Sequence, residues 1–285
     1  MRGAVLPGGR TIGWVERELS EPGYRQLWVR VKASSICGSD IRAIYREHLG
    51  VGPEAPTDKD GNNVVGGHEP CGEVVVAGAG CNIAVGARVV VYHITGCRVC
   101  THCRQGYYIS CTSPQRAAHG WQRDGGHAPY LLTEEEVCVL LPQPLSYTDG
   151  ALAACGVGTA WEALTKANVF ALVCMTVYDY IVQVSARDKV LVTGLGPVGL
   201  SVSLLATHLG CEVTGVDYVK ERCAMAEKLG VVRRAVCTAG LEDEECVEMV
   251  KEGGAGFHVA VDCSGAEKAR LLALKGFSTK LLTMT

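Results

Sequence analysis

The chain has 285 residues, of which 15 are cysteine and 35 are glycine, and its formal net charge is -3 at pH 7. Positively and negatively charged residues are nearly equal in number, and neither forms a long run. This charge pattern argues against nucleic acid or an anionic membrane surface as the main partner, so we expect the partner to be a small molecule. The first residues contain no apolar signal region, which predicts a reducing, cytoplasmic location. In a reducing compartment, many cysteines indicate metal binding or catalysis in preference to disulfide bonds.

Residues 1–150 contain short β-branched runs separated by glycine and proline. The pattern predicts strands at 27–33, 72–77, 87–92, 130–132 and 137–141. Short strands at close spacing are typical of a barrel-like or sandwich-like β domain.

From residue 189 onward, predicted strands alternate with helices of about ten residues. The strands fall at 190–193, 212–217, 235–237 and 259–262. This rhythm is typical of a parallel, doubly wound sheet, so we predict an α/β protein with domains at 1–160 and 188–285 and a hinge at 161–187. A dinucleotide-binding sheet usually has six strands. The four predicted here indicate a sheet cut short, with its fourth strand as a bare edge.

Four cysteines lie within fifteen residues of one loop: Cys97, Cys100, Cys103 and Cys111. Four thiolates can close around one tetrahedral Zn²⁺ and leave no position for substrate, so this spacing predicts a structural zinc site. The alternatives are redox-active cysteine pairs or chance clustering.

A second set of possible ligands is spread along the chain: Cys37, His68 and Cys155. Any one of them alone is more often a packing residue. Together they offer two thiolates and an imidazole, a set that leaves the fourth position of a zinc ion open for water or an alcohol. The set therefore predicts a catalytic zinc.

The run Gly194-Leu195-Gly196-Pro197-Val198-Gly199 follows a predicted strand and opens a predicted helix. In this context glycines permit a tight turn and close approach to a pyrophosphate, which the helix N-terminus attracts. Asp217 ends the next strand, where a carboxylate accepts bonds from ribose hydroxyls and repels a 2′-phosphate, which favours NAD over NADP. The positive charge of Arg222 opposes that preference, although we favour a helix-surface role for it. A glycine-rich turn in another α/β fold is the alternative.

In chain order, these motifs resemble the zinc-dependent alcohol dehydrogenases of the medium-chain dehydrogenase/reductase family. The resemblance covers roughly 1–167 and 185–275, and its further motifs are Cys37-Gly38-Ser39-Asp40 and Gly66-Gly67-His68-Glu69. It implies a GroES-like catalytic domain followed by a Rossmann domain. It also implies an oxidoreductase that transfers a hydride between an alcohol and NAD, with one catalytic and one structural Zn²⁺.

The resemblance assigns roles to side chains around the catalytic zinc. Glu69 would be a nearby or exchanging ligand, Asp40 would orient the His68 imidazole, and Ser39 would take the alcohol proton. In several alcohol dehydrogenases a histidine three residues beyond that hydroxyl continues the proton relay. Here the position is Arg42, which leaves His48 or solvent as candidates.

The residues around Cys155 bear on the substrate class. Polyol dehydrogenases of the family place a glutamate close to the third ligand position, whereas this neighbourhood is Ala151-Leu152-Ala153-Ala154-Cys155-Gly156. Cysteine as third ligand favours an alcohol dehydrogenase over a polyol or threonine dehydrogenase.

Two segments depart from the family pattern. Residues 169–183 are an apolar insertion too short to cross a bilayer. We hypothesise a translated retained intron, because valine codons begin with GT and Gln183 can be encoded by CAG; a genuine insertion is the alternative. Residues 276–285 also depart, and loss of the following segment is expected to remove the family's homo-oligomer interface.

Three functions therefore compete. The first is a zinc- and NAD-dependent alcohol dehydrogenase, and the second is an inactive fragment that binds zinc and dinucleotide. The third is a redox-sensing protein whose cysteines oxidise reversibly. Zinc content and alcohol-dependent NADH formation distinguish them.

Overall fold

The computed structural model describes residues 1–49, 63–166, 188–251, 254 and 256–283. The insertion at 169–183 lies outside the described residues, as does most of the expected hinge. The chain divides into two compact units, Met1–Cys155 and Gly156–Thr285. Among the helices in the described ranges, none is long and apolar enough to cross a membrane.

The first unit is built on antiparallel strands. A five-stranded sheet has the order β8-β3-β4-β5-β9, and two smaller sheets pair β1 with β2 and β6 with β7. The strands are β1 (Arg2–Gly8), β2 (Thr11–Glu16), β3 (Gln26–Ser34), β4 (Pro70–Ala77), β5 (Arg88–Val91), β6 (Ile94–Thr95), β7 (Ala117–Ala118), β8 (Tyr130–Glu134) and β9 (Cys138–Leu140). Its helices are α1 (Gly38–Leu49), α2 (Thr101–Arg104) and α3 (Tyr147–Leu152). All five predicted strands of this half are confirmed, as β3, β4, β5, β8 and β9.

Alternate residues of these strands form the core of the first unit. Leu27 and Val29 on β3 are fully buried, as are Val74 on β4 and Val89 on β5. A period of two places every second side chain on one face of a sheet, which is why short β-branched runs predicted this sheet correctly.

A buried carboxylate ties this sheet to a neighbouring turn. Glu135, whose side chain is 5% exposed, accepts hydrogen bonds from the N–H groups of Asn82 and Ile83 and pairs with Arg25 at 2.7 Å. Burial by itself raises the pKa of Glu135, but these N–H groups and the Arg25 charge outweigh burial and hold the pKa below its usual value. The ionised carboxylate therefore stabilises the fold.

Replacing Glu135 with glutamine is expected to lower the free energy of unfolding by about 1–3 kcal/mol at pH 7. Because the folded pKa is depressed, this stabilisation is complete above the ordinary glutamate pKa and is lost as the pH falls through the lower folded value. The difference in unfolding free energy between wild type and Glu135→Gln should therefore become smaller in acid. Urea unfolding at pH 7 and near pH 4 measures this difference, with Glu244→Gln, at an exposed position, as a charge-matched control. A gap that stays constant with pH would contradict the assignment.

The second unit is a parallel sheet of order β12-β11-β10-β13-β14 between two layers of helices. Its strands are β10 (Lys189–Thr193), β11 (Glu212–Asp217), β12 (Arg234–Cys237), β13 (Phe257–Asp262) and β14 (Phe277–Thr283). Its helices are α4 (Gly158–Lys166), α5 (Pro197–His208), α6 (Lys220–Lys228), α7 (Asp243–Lys251) and α8 (Glu267–Gly276). Val190 and Val192 pack on the face that carries α4, α5 and α6, whereas Leu191 packs on the face that carries α7 and α8.

The prediction of a four-stranded sheet with a bare fourth strand was wrong. β14 pairs in parallel with β13, so that Ala260 lies opposite Leu281. Helix α8 ends directly before β14 and completes another βαβ unit, which supplies hydrogen-bonding partners for the edge of β13. The departure of residues 276–285 from the family sequence pattern concealed this strand.

Candidate metal centres and dinucleotide site

The structure brings four sequence-distant side chains together in the first unit: Cys37, His68, Glu69 and Cys155. One ligand atom from each lies within 4.8 Å of the others. Cys37 directly precedes α1, His68 and Glu69 directly precede β4, and Cys155 lies on the π-helical turn Ala153–Val157. A π-helical turn inserts an extra residue into a helix and is frequent at functional sites. Three segments that are far apart in sequence therefore meet at one point.

Asp40 organises this cluster from the first turn of α1. One carboxylate oxygen, Oδ2, accepts a hydrogen bond from the Cys37 N–H at 2.8 Å. The other, Oδ1, lies 3.4 Å from His68 Nδ1, and both atoms are buried. The opposite ring nitrogen, Nε2, lies 3.5 Å from Ser39 Oγ and 3.9 Å from the Glu69 carboxylate. Asp40 thus faces one edge of the imidazole and leaves Nε2 toward the other members of the cluster.

The electrostatics of the cluster are those of a site rich in negative charge. The neighbouring Cys155 thiol, with His68 and Ser39, lowers the pKa of Cys37 to about 2. Burial disfavours a charged His68, but Asp40 and Cys37 outweigh burial and raise its pKa to about 10. Burial and the Cys37 charge raise the pKa of Glu69 to about 7. Two thiols, an imidazole and a carboxylate gathered in this way are a donor set that fits Zn²⁺.

The four-cysteine loop forms a second cluster. The sulfur atoms of Cys97, Cys100, Cys103 and Cys111 lie within 4.8 Å of one another, and Cys97 Sγ is 4.0 Å from Cys103 Sγ. Tetrahedral zinc with Zn–S bonds of 2.3 Å places its sulfurs about 3.8 Å apart, whereas a disulfide requires about 2.05 Å. The spacing therefore fits a four-thiolate metal site and does not fit disulfides.

Backbone N–H groups in this loop donate hydrogen bonds that stabilise ionised cysteine side chains. The Cys100 N–H donates a hydrogen bond to Cys97 Sγ, and the Cys97 N–H donates one to Cys111 Sγ, each at 3.4 Å. Such bonds stabilise the charged form, and the N–H groups of Cys100 and Val99 lower the pKa of Cys97 to about 6. Gly96 is required beside the cluster because a Cβ there would lie 2.5 Å from Cys103 Sγ.

Two rings lie near the His68 imidazole. The His93 ring centroid is 5.2 Å from that of His68, and Trp121 is 6.2 Å away. Sequence reasoning did not identify His93, because a single histidine after a β-branched strand carries no distinguishing pattern. Arg42, at the position of the outer relay, is exposed on α1. The side chain of His48 lies outside the described part of the chain.

The glycine-rich run joins β10 to α5 in the second unit. Gly194 has φ +90°, and a Cβ on it would lie 2.7 Å from Ser264 N. Gly196 is the N-cap of α5 and Pro197 is its first residue, while the partly buried Val198 packs against the core. A Cβ on Gly199 would lie 1.7 Å from the Gly194 carbonyl oxygen, so this close turn excludes any side chain there.

Asp217 ends β11 beside this turn. Its Oδ2 accepts from the Leu195 N–H at 2.7 Å, and its Oδ1 accepts from the Val219 N–H at 2.8 Å. Arg222 Nη1 lies 3.6 Å from Oδ2. Asp217 thus holds two backbone segments in place, a role the sequence did not predict. Each carboxylate oxygen still has lone pairs to offer a ligand.

A cavity of about 610 Å³ opens along the carboxyl ends of these strands, within the second unit. Its lining includes Gly194, Gly196, Asp217, Arg222 and Ser264. Open parallel sheets bind ligands in such a crevice, and the volume is in the range of small-molecule sites. Four of the predicted dinucleotide residues, Gly194, Gly196, Asp217 and Arg222, therefore border one cavity, whereas Pro197, Val198 and Gly199 are not among its lining residues.

Comparison with known proteins identifies the class. A family model described as "Alcohol dehydrogenase GroES-like domain" matches residues 23–143, and one described as "Zinc-binding dehydrogenase" matches residues 197–279. Together with the two sheets, these matches define a zinc-binding dehydrogenase with a GroES-like domain and a Rossmann domain. The chain belongs to the zinc-dependent alcohol dehydrogenase family of medium-chain dehydrogenases/reductases. Both the family and the fold class predicted from the sequence are confirmed.

Individual relatives place the chain within that family. It is 44% identical over 279 residues to the zinc-type alcohol dehydrogenase-like protein YphC of Escherichia coli K12, covering 96% of this chain and 73% of that protein. It is 32% identical over 260 residues to the sorbitol dehydrogenase of Halalkalibacterium halodurans, covering 89% and 66%. A zinc-binding dehydrogenase from Sinorhizobium meliloti, solved bound to NADP, superposes with a TM-score of 0.80 at 25% identity, covering 99% and 76%.

Proposed function

We propose that this chain is a zinc-dependent dehydrogenase that oxidises an alcohol with NAD⁺. The observation that carries the proposal is the convergence of Cys37, His68 and Cys155, with Asp40 behind the imidazole. Three protein ligands with an open fourth position are typical of catalytic zinc. The four-cysteine loop would hold a second, structural zinc.

Zinc bound at the first cluster would supply positive charge that lowers the pKa of an alcohol beside it. Ser39 would accept the proton that such an alcohol loses; this role is supported by the 3.5 Å between its hydroxyl and His68 Nε2 and by the partial burial of the residue. Asp40, 3.4 Å from His68 Nδ1, would orient the ring so that Nε2 is free to bind the metal. Glu69, 3.9 Å from Nε2, is a further carboxylate within reach of the metal.

The preference for NAD is supported by Asp217. Asp217 is 7% exposed and borders the cavity, and its carboxylate would repel a 2′-phosphate. The Arg222 guanidinium lies 3.6 Å from that carboxylate, so part of its charge is already matched. Both effects favour a cofactor whose adenosine ribose has two free hydroxyls, as in NAD.

The full chain, loaded with zinc, tests the proposal. Metal analysis by mass spectrometry is expected to find two zinc ions per chain, and alcohols with NAD⁺ should yield NADH at 340 nm. Two zinc ions without turnover on any alcohol, polyol or threonine would instead indicate a binding fragment. Absence of bound zinc would contradict both functions.

Two glycine substitutions separate cofactor binding from folding. Gly196→Ala adds a Cβ that meets no protein atom within 4 Å, at an ordinary φ of −75°. The protein should therefore fold normally but bind NADH at least about tenfold more weakly, because the second glycine of the turn admits the pyrophosphate. Gly199→Ala places its Cβ against the Gly194 carbonyl, so it should also destabilise the second unit.

Fluorescence titration with NADH and thermal unfolding of each variant provide the measurements. The expected pattern is weak binding with an unchanged unfolding midpoint for Gly196→Ala, and both defects for Gly199→Ala. Wild-type affinity in Gly196→Ala would show that the cofactor does not approach this turn.

A further inference from the structure

Arg98 lies between two of the four clustered cysteines, Cys97 and Cys100, and has an uncommon backbone conformation. Its φ is +67°, in the left-handed region that glycine adopts freely and that other residues adopt at a cost in energy. In this conformation the Arg98 N–H faces the Cys103 sulfur and favours its ionised form. The loop therefore depends on a left-handed residue at position 98, and a glycine would supply that backbone at the lowest cost.

The Arg98 side chain pairs with a carboxylate outside the cysteine loop. Its Nε donates to Glu136 Oε1, and the two side chains are 47% and 17% exposed. The other carboxylate oxygen, Glu136 Oε2, is buried and accepts no hydrogen bond from any residue that the structure describes. A carboxylate that is mostly withdrawn from water depends strongly on the cation beside it. An arginine at this left-handed position thus supplies a charge that glycine lacks.

Glu136 is fixed in position by the sheet of the first unit. It lies on the single 3₁₀ turn Glu135–Val137, which joins β8 to β9, and Val137 packs in the core of that sheet. The preceding Glu135 pairs with Arg25, which is also left-handed, with φ +57°. Two consecutive glutamates thus each pair with an arginine of left-handed backbone, one directly before β3 and one in the cysteine loop.

We propose that the ion pair between Arg98 and Glu136 fastens the cysteine loop to the sheet and slows the loss of Zn²⁺ from that loop. Arg98 is a positioning residue, because it acts by holding the backbone of the loop and not by binding the metal. The inference rests on the structural zinc of the proposed function and deepens it, since four thiolates alone do not set how long the metal is retained.

Zinc release from the zinc-loaded full chain to an excess of a colorimetric chelator tests the proposal. The phase of release that Cys100→Ala lacks belongs to the cysteine loop. In that phase, Arg98→Gly and Glu136→Gln should each lose zinc about fivefold faster than wild type, the effect of one partly buried ion pair. The double variant should be no faster than either single one. Arg98→Lys should retain part of the wild-type behaviour, and Arg104→Ala, at an exposed position of the same loop, is the control and should match wild type.

Ionic strength gives a readout that loop packing alone would not move. Because salt screens a partly exposed ion pair, the wild-type rate should rise with salt toward that of Glu136→Gln, whose own rate should change little. Release from Arg98→Gly that is no faster than from wild type, or additive effects in the double variant, would overturn the inference and leave the structural zinc in place. If Cys100→Ala lacks no phase, both the inference and the structural zinc are wrong, and the assignment of the Cys37 cluster is unaffected.

Discussion

Cys155→Ala is expected to reduce alcohol-dependent NADH formation by at least about a thousandfold and to lower the zinc content from two ions to one per chain. The substitution removes one thiolate from a cluster whose ligand atoms lie within 4.8 Å of one another. A metal that stabilises developing negative charge contributes several kcal/mol to catalysis, which corresponds to the expected loss.

Cys237→Ala is the matched control for this experiment. Its thiol lies on β12, outside both clusters, and donates to the Tyr218 carbonyl at 3.6 Å. The control should retain two zinc ions and the wild-type rate. If Cys155→Ala also keeps two zinc ions and full activity, Cys155 is not a ligand and the catalytic site lies elsewhere.

Cys100→Ala is expected to remove the second zinc and to lower the thermal unfolding midpoint of the first unit by about 10 °C. Metal-binding free energy at a closed site contributes directly to folding, and a loss of about 3 kcal/mol corresponds to a shift of this size. The Cys103 N–H, which donates to Cys100 Sγ at 3.5 Å, would also lose its sulfur acceptor.

A neighbouring substitution and a chelator provide the controls. Val99→Ala changes an exposed residue of the same loop, which is 68% accessible, and should leave the midpoint within about a degree of wild type. Excess EDTA should lower the midpoint of the wild type and have little further effect on Cys100→Ala. Equal sensitivity of the two proteins to EDTA would mean that Cys100 does not hold the metal.

The local motifs could be predicted because chain geometry alone determines them. Cys97 and Cys111 are joined by a short loop, so their spacing restricts the sulfurs to one neighbourhood before any tertiary contact forms. The glycine-rich run between β10 and α5 is equally local. There the residue pattern was sufficient to predict the succession of strand, turn and helix that the structure shows.

Other features depended on contacts that the sequence does not reveal. The carboxylate of Asp217 was predicted as a ligand for ribose, and the structure adds that it holds the N–H groups of Leu195 and Val219. Glu135 stood in an acidic run, with no sign that it would be buried against Arg25. Both roles arise because distant backbone segments pack around one carboxylate.

The number of strands in the second sheet is a further feature that the sequence did not reveal. The length of 285 residues and the order of the motifs predicted two domains, the second with a sheet of four strands. The structure places a fifth strand, β14, beside β13, where the sequence pattern indicated a bare edge. Parallel backbone pairing joins it to β13, and such pairing is not visible in a residue pattern that departs from the family.

The sequence by itself determined the family, the two sheets and the donor atoms, because ligand chemistry and hydrophobic period are properties of residue type and spacing. Only the tertiary structure decided which donors meet. It brings Cys37 and Cys155 to one point, aims Asp40 at one edge of His68, and places the His93 ring 5.2 Å from the His68 ring. Those relations depend on how strands and helices pack across the first unit, and packing is a property of the whole fold.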